Sequence, residues 1–270
     1  MAGKRLWLLA LVAVIAVAPT GTPRAVSREA AADSARTPII VELFTSEGCS
    51  SCPPADQFLS KLEAQQPVPG VQIIAIEEHV DYWNQLGWHD PFSSADWTER
   101  QRKYADVLGN GNVYTPQMIV NGAAEFVGSR ERNGQNAIEQ AAKSVAIPLT
   151  VTAAALAGKP AAEITVRFGG AGADAVRDSE VWLAITETGL ESAVTRGENA
   201  GKDLRHAAVL RKLQKLGSAA AKGGSESGIV LTGKVSLDSS WKRENLHAVA
   251  FIQERRRMHI LGARQVSLSL

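Results

Sequence analysis

The chain has 270 residues, of which 45% are hydrophobic and 21% are charged, a composition that is ordinary for a globular protein with a sizeable core. Its 29 basic and 28 acidic residues leave a formal net charge of +1 at pH 7 and are spread along the sequence. This balance excludes a large field of one sign, so neither nucleic acid nor an anionic membrane is predicted as a partner.

Residues 1–37 are predicted to be a signal peptide and linker. Two basic residues, Lys4 and Arg5, precede an apolar run over 6–18 that is too short to span a bilayer comfortably. An uncleaved anchor is the alternative interpretation of this run. After cleavage, the chain is expected in the periplasm or the external medium, with no stable membrane insertion.

The next predicted elements form a βαβ unit around the two cysteines of the sequence. An apolar strand over 39–44 ends in a turn, Cys49 and Cys52 follow, and Pro53 suits the first turn of a helix. A second apolar strand covers 71–76. The strands of such a unit are parallel, and Cys49 is expected at or just before the helix N-terminus.

Three further elements complete the first half of the chain. The aromatic segment 79–94 is predicted to be a packed loop, and one apolar face over 97–108 predicts a helix. Asn121 and Gly122 lie between two apolar runs, which is the strongest short hairpin signal. A helix over about 133–145 follows.

Beyond Pro148 the pattern changes to alternation of apolar and polar residues, which is the period of a β-strand. We expect six to eight antiparallel strands here, most simply in a small β-sandwich. The predicted fold class is therefore an α/β domain over 38–147 followed by an all-β sandwich-like domain over 148–270.

The cysteines of the sequence Cys49-Ser50-Ser51-Cys52 carry the predicted chemistry. A disulfide across so short a loop removes little entropy from the unfolded chain, which favours a redox role over a structural one. The dipole and the free amides of a helix N-terminus stabilise a thiolate. We expect Cys49 to be the exposed nucleophile and Cys52 to be the resolving thiol.

The order of strand, CxxC, helix, strand, and then Thr115-Pro116 before a hairpin resembles the thioredoxin superfamily over about 38–145. The resemblance implies a thioredoxin-like fold for the first domain. It also implies that Pro116 is cis and lies against the Cys49 sulfur, and that Thr115 and Pro116 bind the substrate.

More closely, the stretches Glu42–Asp56 and His79–Trp83 resemble a bacterial secreted family catalogued as domain of unknown function 1223. That family implies the same fold and no established reaction. Two departures from thioredoxin leave the direction of electron flow open: the intervening pair is Ser-Ser instead of Gly-Pro, and Glu47 would oppose a nearby thiolate. The sequence reveals no counterpart of the buried acid beneath the thioredoxin motif.

The leading functional hypothesis is an exported thiol-disulfide oxidoreductase-like protein. Its expected partners are the thiols and disulfides of exported proteins and a redox partner, with no organic cofactor and no metal. One alternative is a non-catalytic thioredoxin-fold scaffold with a static disulfide. Another is a metal carrier that combines the dithiol with His79 or His89.

A dense polar segment over 196–206 is the one candidate site in the second half. Arg196, Glu198 and His206 are interpreted either as contacts to a substrate or to the first domain, or as parts of an exposed loop held by internal salt bridges.

Overall fold

The computed structural model of the protein describes residues 36–109, 111–169, 176–220 and 228–268. Apart from its last two residues, the predicted signal peptide and linker lies outside the described residues. Among the helices in these ranges, none has the length and apolar character needed to cross a membrane.

The first half alternates strands and helices in the predicted order: β1 Thr37–Thr45, α1 Pro53–Gln65, β2 Val71–His79, α2 Ala95–Leu108, β3 Gln117–Val120, β4 Ala124–Val127 and α3 Glu131–Ala141. Prolines at the start of α1 lose no hydrogen bond, because the first amides of a helix have no partner within it. Asn121 and Gly122 have positive φ and join β3 to β4 in the predicted hairpin.

The described part of the second half holds nine strands: β5 Thr150–Ala155, β6 Ala161–Phe168, β7 Ser179–Glu187, β8 Leu190–Ala193, β9 Asp203–His206, β10 Val209–Ser218, β11 Ile229–Ser236, β12 Leu246–Glu254 and β13 Ile260–Ser267. This exceeds the expected six to eight. The strands β8 and β9 have four residues each, too few to show a clear alternation.

Strands from both halves form one mixed sheet of eight strands, in the order β13-β12-β7-β10-β2-β1-β3-β4. β10 lies beside β2 in parallel orientation at Val209 and Glu77, and the Glu77 amide donates to the Ala208 carbonyl at 2.9 Å. The prediction of an α/β thioredoxin-like domain followed by a separate all-β sandwich-like domain is therefore wrong. The described chain is mostly β and is built on one large mixed sheet.

The physical reason for this error lies in β2. All nine of its residues are buried, including the polar residues Glu77, Glu78 and His79 at its end. Such a strand is covered on both faces and lies inside the sheet. The apolar pattern over 71–76 identified the strand, but periodicity does not reveal which distant strand pairs with its second edge.

Two apolar clusters support this sheet, the first within the second half of the chain and the second between the two halves. The three-stranded sheet β11-β6-β5 packs against β7 and β12. A second cluster combines Ile40 and Ile74 of the first half with Leu210 and Phe251 of the second. This packing holds the ends of β1 and β2 beside β9 and the start of β10, where the candidate site lies.

Candidate functional site

Cys49 and Cys52 form a disulfide with their Cα atoms 5.4 Å apart. The turn that contains them follows the end of β1, and Cys52 is the residue that precedes α1. Both cysteines are 0% exposed, so the expectation that Cys49 is exposed is wrong. The two serines between them are exposed, and the Ser51 Oγ lies 3.4 Å from the Cys49 Sγ.

A loop from the second half covers this turn. We call residues 194–202 the β8–β9 loop. The Asn199 Nδ2 donates to the carbonyl oxygens of Glu47 and Cys49 at 2.8 and 2.9 Å, and the Ser50 amide donates to the Glu198 carboxylate at 3.1 Å. Asn199 is itself fully buried. The loop therefore holds the backbone of the CxxC turn in place.

These contacts decide between the two interpretations of segment 196–206. Glu198 and His206 contact the first half of the chain, whereas Arg196 is exposed. Asn199 was missed by the sequence reasoning because an asparagine in a polar loop is typical of an exposed turn. The loop reaches the cysteines because β10 joins the sheet beside β2.

Beneath the turn lies a group of buried ionisable side chains, which we call the carboxylate–histidine cluster: Glu47, Asp56, Glu77, His79, Asp90 and His206. All six residues are at most 5% exposed. They come from the CxxC turn, α1, β2, the aromatic segment and β9, so five parts of the chain meet here.

Short hydrogen bonds connect most of the cluster. The His206 Nδ1 lies 2.8 Å from the Glu77 Oε1, and its Nε2 lies 3.1 Å from the Glu47 Oε1. The His79 Nδ1 lies 2.7 Å from the Asp90 Oδ2. Each imidazole therefore faces at least one carboxylate, which favours its protonated form.

The charges follow from these contacts. Burial alone would lower the pKa of His79, but Asp90 outweighs it and raises that pKa to about 9. Burial likewise opposes a charged His206, yet Glu77 holds its pKa well above the ordinary value. Burial would raise the pKa of Glu77, but His206 lowers it to about 2. Both histidines are therefore cationic and Glu77 is anionic at neutral pH.

Asp56 supplies the buried acid that sequence reasoning did not identify. Burial, followed by the charge of Glu77, raises the pKa of Asp56 to about 7. The Thr45 Oγ1 donates to its Oδ1 at 2.6 Å. Asp56 comes four residues after Cys52, so both lie on one face of α1, and this spacing was the available signal.

The sequence-predicted residues Thr115 and Pro116 lie on the loop before β3, and the peptide bond between them is cis. The Trp83 Nε1 donates to the Thr115 Oγ1 at 2.9 Å. A Cβ placed on Gly48 would lie only 3.1 Å from the Trp83 Cβ. Trp83 thus fills the space between the CxxC turn and this loop. A substrate-binding role for Thr115 and Pro116 stays a prediction.

Asp81, His79 and His89 all belong to the aromatic segment over 79–94. Asp81 accepts from the Thr98 Oγ1 at 2.6 Å, which ties the aromatic segment to α2. His79 belongs to the cluster, whereas His89, its alternative as a metal ligand, is exposed.

A second group of buried polar side chains lies between α2 and the sheet. We call it the arginine network: Glu42, Glu78, Arg100, Tyr104 and Gln253. The Arg100 Nε donates to the Glu42 Oε1 at 2.7 Å, and its Nη1 donates to the Gln253 Oε1 at 3.2 Å. Burial raises the pKa of Glu78 well above its ordinary value, so this carboxyl is neutral. The network joins β1 and α2 to β12.

The comparisons with known proteins agree with this architecture. The model of a family described as protein of unknown function (DUF1223) matches residues 40–253, which is most of the chain. This chain belongs to the DUF1223 family. No curated protein matches it.

Two solved structures are similar to this DUF1223 protein. One is an Agrobacterium tumefaciens protein solved by X-ray crystallography in a structural genomics programme: it is 27% identical, with a TM-score of 0.63, and the alignment covers 87% of this chain and 96% of that chain. The other is HBP35 of Porphyromonas gingivalis, at 15% identity and a TM-score of 0.59, covering 86% of this chain and 76% of that chain. The second likeness concerns the fold alone.

The family match includes the whole site of this DUF1223 protein, since Cys49 and His206 both fall within 40–253. The arrangement brings together a disulfide, a buried carboxyl that exchanges its proton near neutral pH, and a covering loop held by a few hydrogen bonds. Thiol–disulfide exchange with proton transfer uses groups of these kinds.

Proposed function

We propose that this DUF1223 protein is an exported thiol-disulfide oxidoreductase that acts on the thiols and disulfides of exported proteins. The observation that carries the proposal is a disulfide at the start of α1 with the buried Asp56 one helical turn beyond Cys52. A residue whose pKa is about 7 takes up and releases a proton at the pH where thiols exchange. The local resemblance to the thioredoxin superfamily around the CxxC motif supports the same activity.

The exchange starts from the oxidised protein. A partner thiolate attacks the Cys49 sulfur, a mixed disulfide forms, and the electrons of the broken bond leave on Cys52. The neutral Asp56 then donates its proton to the Cys52 thiolate. A second partner thiolate attacks the partner sulfur of the mixed disulfide, which yields an oxidised partner and the Cys49 thiolate. The N-terminus of α1 and the Ser51 hydroxyl stabilise that thiolate.

Because Cys49 is buried, this reaction requires the covering loop to move. A partner sulfur reaches Cys49 only after the β8–β9 loop has moved, because Asn199 and Glu198 contact the backbone of the turn. The hydrogen bonds to be broken are few, and the Glu198 bond is exposed to solvent. We place the bound partner segment between this loop and the loop of Thr115 and Pro116.

The same burial favours a second candidate function. A disulfide shielded from solvent on both sulfurs suits a scaffold in which the bond is static and the β-rich half contacts a partner. The short loop that this disulfide closes argues against a large contribution to stability. The scaffold remains the alternative that the experiments must separate from exchange.

Trapping separates the two functions. In the exchange mechanism, Cys52→Ala leaves Cys49 able to form mixed disulfides that cannot be resolved, so exported proteins accumulate in covalent complexes with the variant. Cys49→Ala is the matched control and should trap far less, because Cys52 is the resolving thiol. If both variants trap equally little from an envelope extract, the exchange proposal is wrong and the scaffold stands.

A further inference from the structure

The carboxylate–histidine cluster contains an arrangement that the exchange mechanism does not use. We propose that Glu77, His79 and His206 form a binding site for one divalent transition-metal ion, with Zn²⁺ as its simplest occupant. One potential ligand atom from each of the three residues lies within 4.8 Å of the others, and all three residues are buried. This inference does not depend on the thiol chemistry.

The distances suit a tetrahedral ion. Zn²⁺ binds imidazole nitrogen and carboxylate oxygen at about 2.0–2.2 Å, which separates neighbouring ligand atoms of a tetrahedral ion by about 3.3–3.6 Å. The Glu77 Oε1 lies 2.8 Å from the His206 Nδ1 and 3.5 Å from the His79 Nε2. The second separation falls within the required range, and the first is shorter. All three atoms lie within 4.8 Å of one another, so side-chain movement would bring them to the spacing of a tetrahedral ion.

The two nitrogens of His79 differ in their contacts. The buried Nε2 makes no close hydrogen bond and lies 3.5 Å from the Glu77 Oε1, whereas the Nδ1 lies 2.7 Å from the Asp90 Oδ2. A metal ion would displace the Nε2 proton of the cationic His79, and a hydrogen bond from Nδ1 to a carboxylate, as with Asp90 here, is the usual support of a metal-bound histidine. Glu47, at 3.1 Å from the His206 Nε2, supports the other imidazole in the same way.

The composition of the cluster indicates the class of ion. Four carboxyl groups surround two imidazoles in a space closed to solvent. Without a metal, bound protons balance the negative charge of these carboxyl groups, and a divalent cation would take the place of those protons. Two nitrogen ligands and one oxygen ligand suit Zn²⁺ and its transition-metal neighbours, whereas Mg²⁺ and Ca²⁺ prefer oxygen alone. A water molecule would take the fourth position.

This site differs from the metal carrier considered from the sequence. There the dithiol was to combine with His79 or His89. Here both sulfurs are engaged in the disulfide, His89 is exposed, and the second imidazole comes from His206, 127 residues after His79 in the chain. The proposed site therefore has no sulfur ligand.

Cobalt spectroscopy on the wild-type protein tests the proposal directly. The mature protein is treated with a chelator, dialysed and titrated with Co²⁺. We expect one equivalent to bind with the visible bands of a four-coordinate ion and without the near-ultraviolet band of a cobalt–thiolate bond. The Cys49→Ser/Cys52→Ser double variant should give the same spectrum. No saturable binding at micromolar protein, or loss of binding in the double variant, would overturn the proposal.

Substitutions assign the ligands. We expect His79→Gln and His206→Gln to weaken Zn²⁺ binding by more than about 100-fold, and Asp90→Asn to weaken it by about 10-fold to 100-fold. His259→Gln, in the turn between β12 and β13, is the control and should bind as the wild type does. Circular dichroism reports whether each variant folds. If folded His79→Gln binds Zn²⁺ as tightly as the control, the assignment is wrong.

Discussion

The arginine network and the carboxylate–histidine cluster both join the two halves of the chain in its interior, but their cations differ. Arg100 keeps its charge at any pH that the protein meets, and its guanidinium contacts Glu42 and Gln253 in a fixed geometry. The cations of the cluster are His79 and His206, and imidazoles as a class lose protons and coordinate metals. The first group holds α2 on the sheet, whereas we propose that the second exchanges protons and binds an ion.

The largest expected effect is a loss of stability, and it tests the role of the arginine network. Arg100→Met leaves the Glu42 carboxylate buried without its cation, so the free energy of unfolding in urea should fall by about 3–5 kcal/mol. Arg102→Met, at an exposed position of the same helix, is the control and should change it little. Equal losses in the two variants would show that the network is not the source of stability.

Asp56→Asn tests whether the cluster takes part in proton transfer. Asparagine can keep the hydrogen bond from Thr45 but has no proton to exchange. We expect the rate of disulfide exchange with a model peptide to fall about 10-fold at pH 7, because general acid catalysis is lost.

The raised pKa of Asp56 also predicts how the stability of Asp56→Asn compares with that of the wild type as the pH changes. The raised pKa means that the folded protein binds the Asp56 proton more tightly than the unfolded chain does. Its stabilising contribution is present below the unfolded pKa and is lost as the pH rises toward 7. The variant should therefore be no less stable than the wild type at pH 8. A stable variant with an unchanged exchange rate between pH 6 and pH 8 would remove Asp56 from the mechanism.

Asn199→Ala tests the covering loop. The substitution removes two hydrogen bonds to the Glu47 and Cys49 carbonyls, at a cost of about 1–3 kcal/mol in unfolding free energy. The freed loop should let a small thiol such as dithiothreitol reduce the disulfide several times faster. Glu191→Gln, on the exposed face of β8, is the control. Unchanged reduction kinetics in Asn199→Ala would mean that the loop does not limit access.

The smallest expected effect concerns a carboxyl outside both groups. Burial raises the pKa of Glu63 to about 7, while the Thr188 hydroxyl opposes that rise. A raised pKa stabilises the fold at low pH, and this contribution is lost as the pH rises from about 4.5 to 7.

Glu63→Gln should therefore gain stability relative to the wild type between pH 5 and pH 8. The expected gain is about 1 kcal/mol, since solvent still reaches this side chain. Glu131→Gln, an exposed residue of α3, should show no such trend in the same thermal melts. A parallel pH profile for Glu63→Gln and the wild type would contradict the burial of this carboxyl.

Local elements of the fold could be predicted from the sequence. The prolines after Cys52 start α1, Asn121 and Gly122 form the β3–β4 turn, and the alternation after Pro148 marks strands. Such patterns report the neighbours of a residue along the chain. The pairing of β10 with β2 joins residues more than 130 positions apart, so no local pattern contains it.

The candidate site, like the fold, could be predicted only where its residues are close together in the sequence. Cys49 and Cys52 were identified because both belong to one short motif. Asp56 had a readable signal in its helical spacing from Cys52, but Glu77, His79 and His206 meet only through the unexpected sheet pairing. The burial of Cys49 has the same origin, because the loop that covers it comes from the second half.

The reduction potential of the Cys49–Cys52 pair tests the central claim most directly. The mature protein is equilibrated in thiol buffers of defined potential, and its free thiols are counted by alkylation and mass spectrometry. We expect a value between about −120 and −270 mV, the range of exchange catalysts. A value below about −300 mV would mark a structural disulfide and contradict the proposed function.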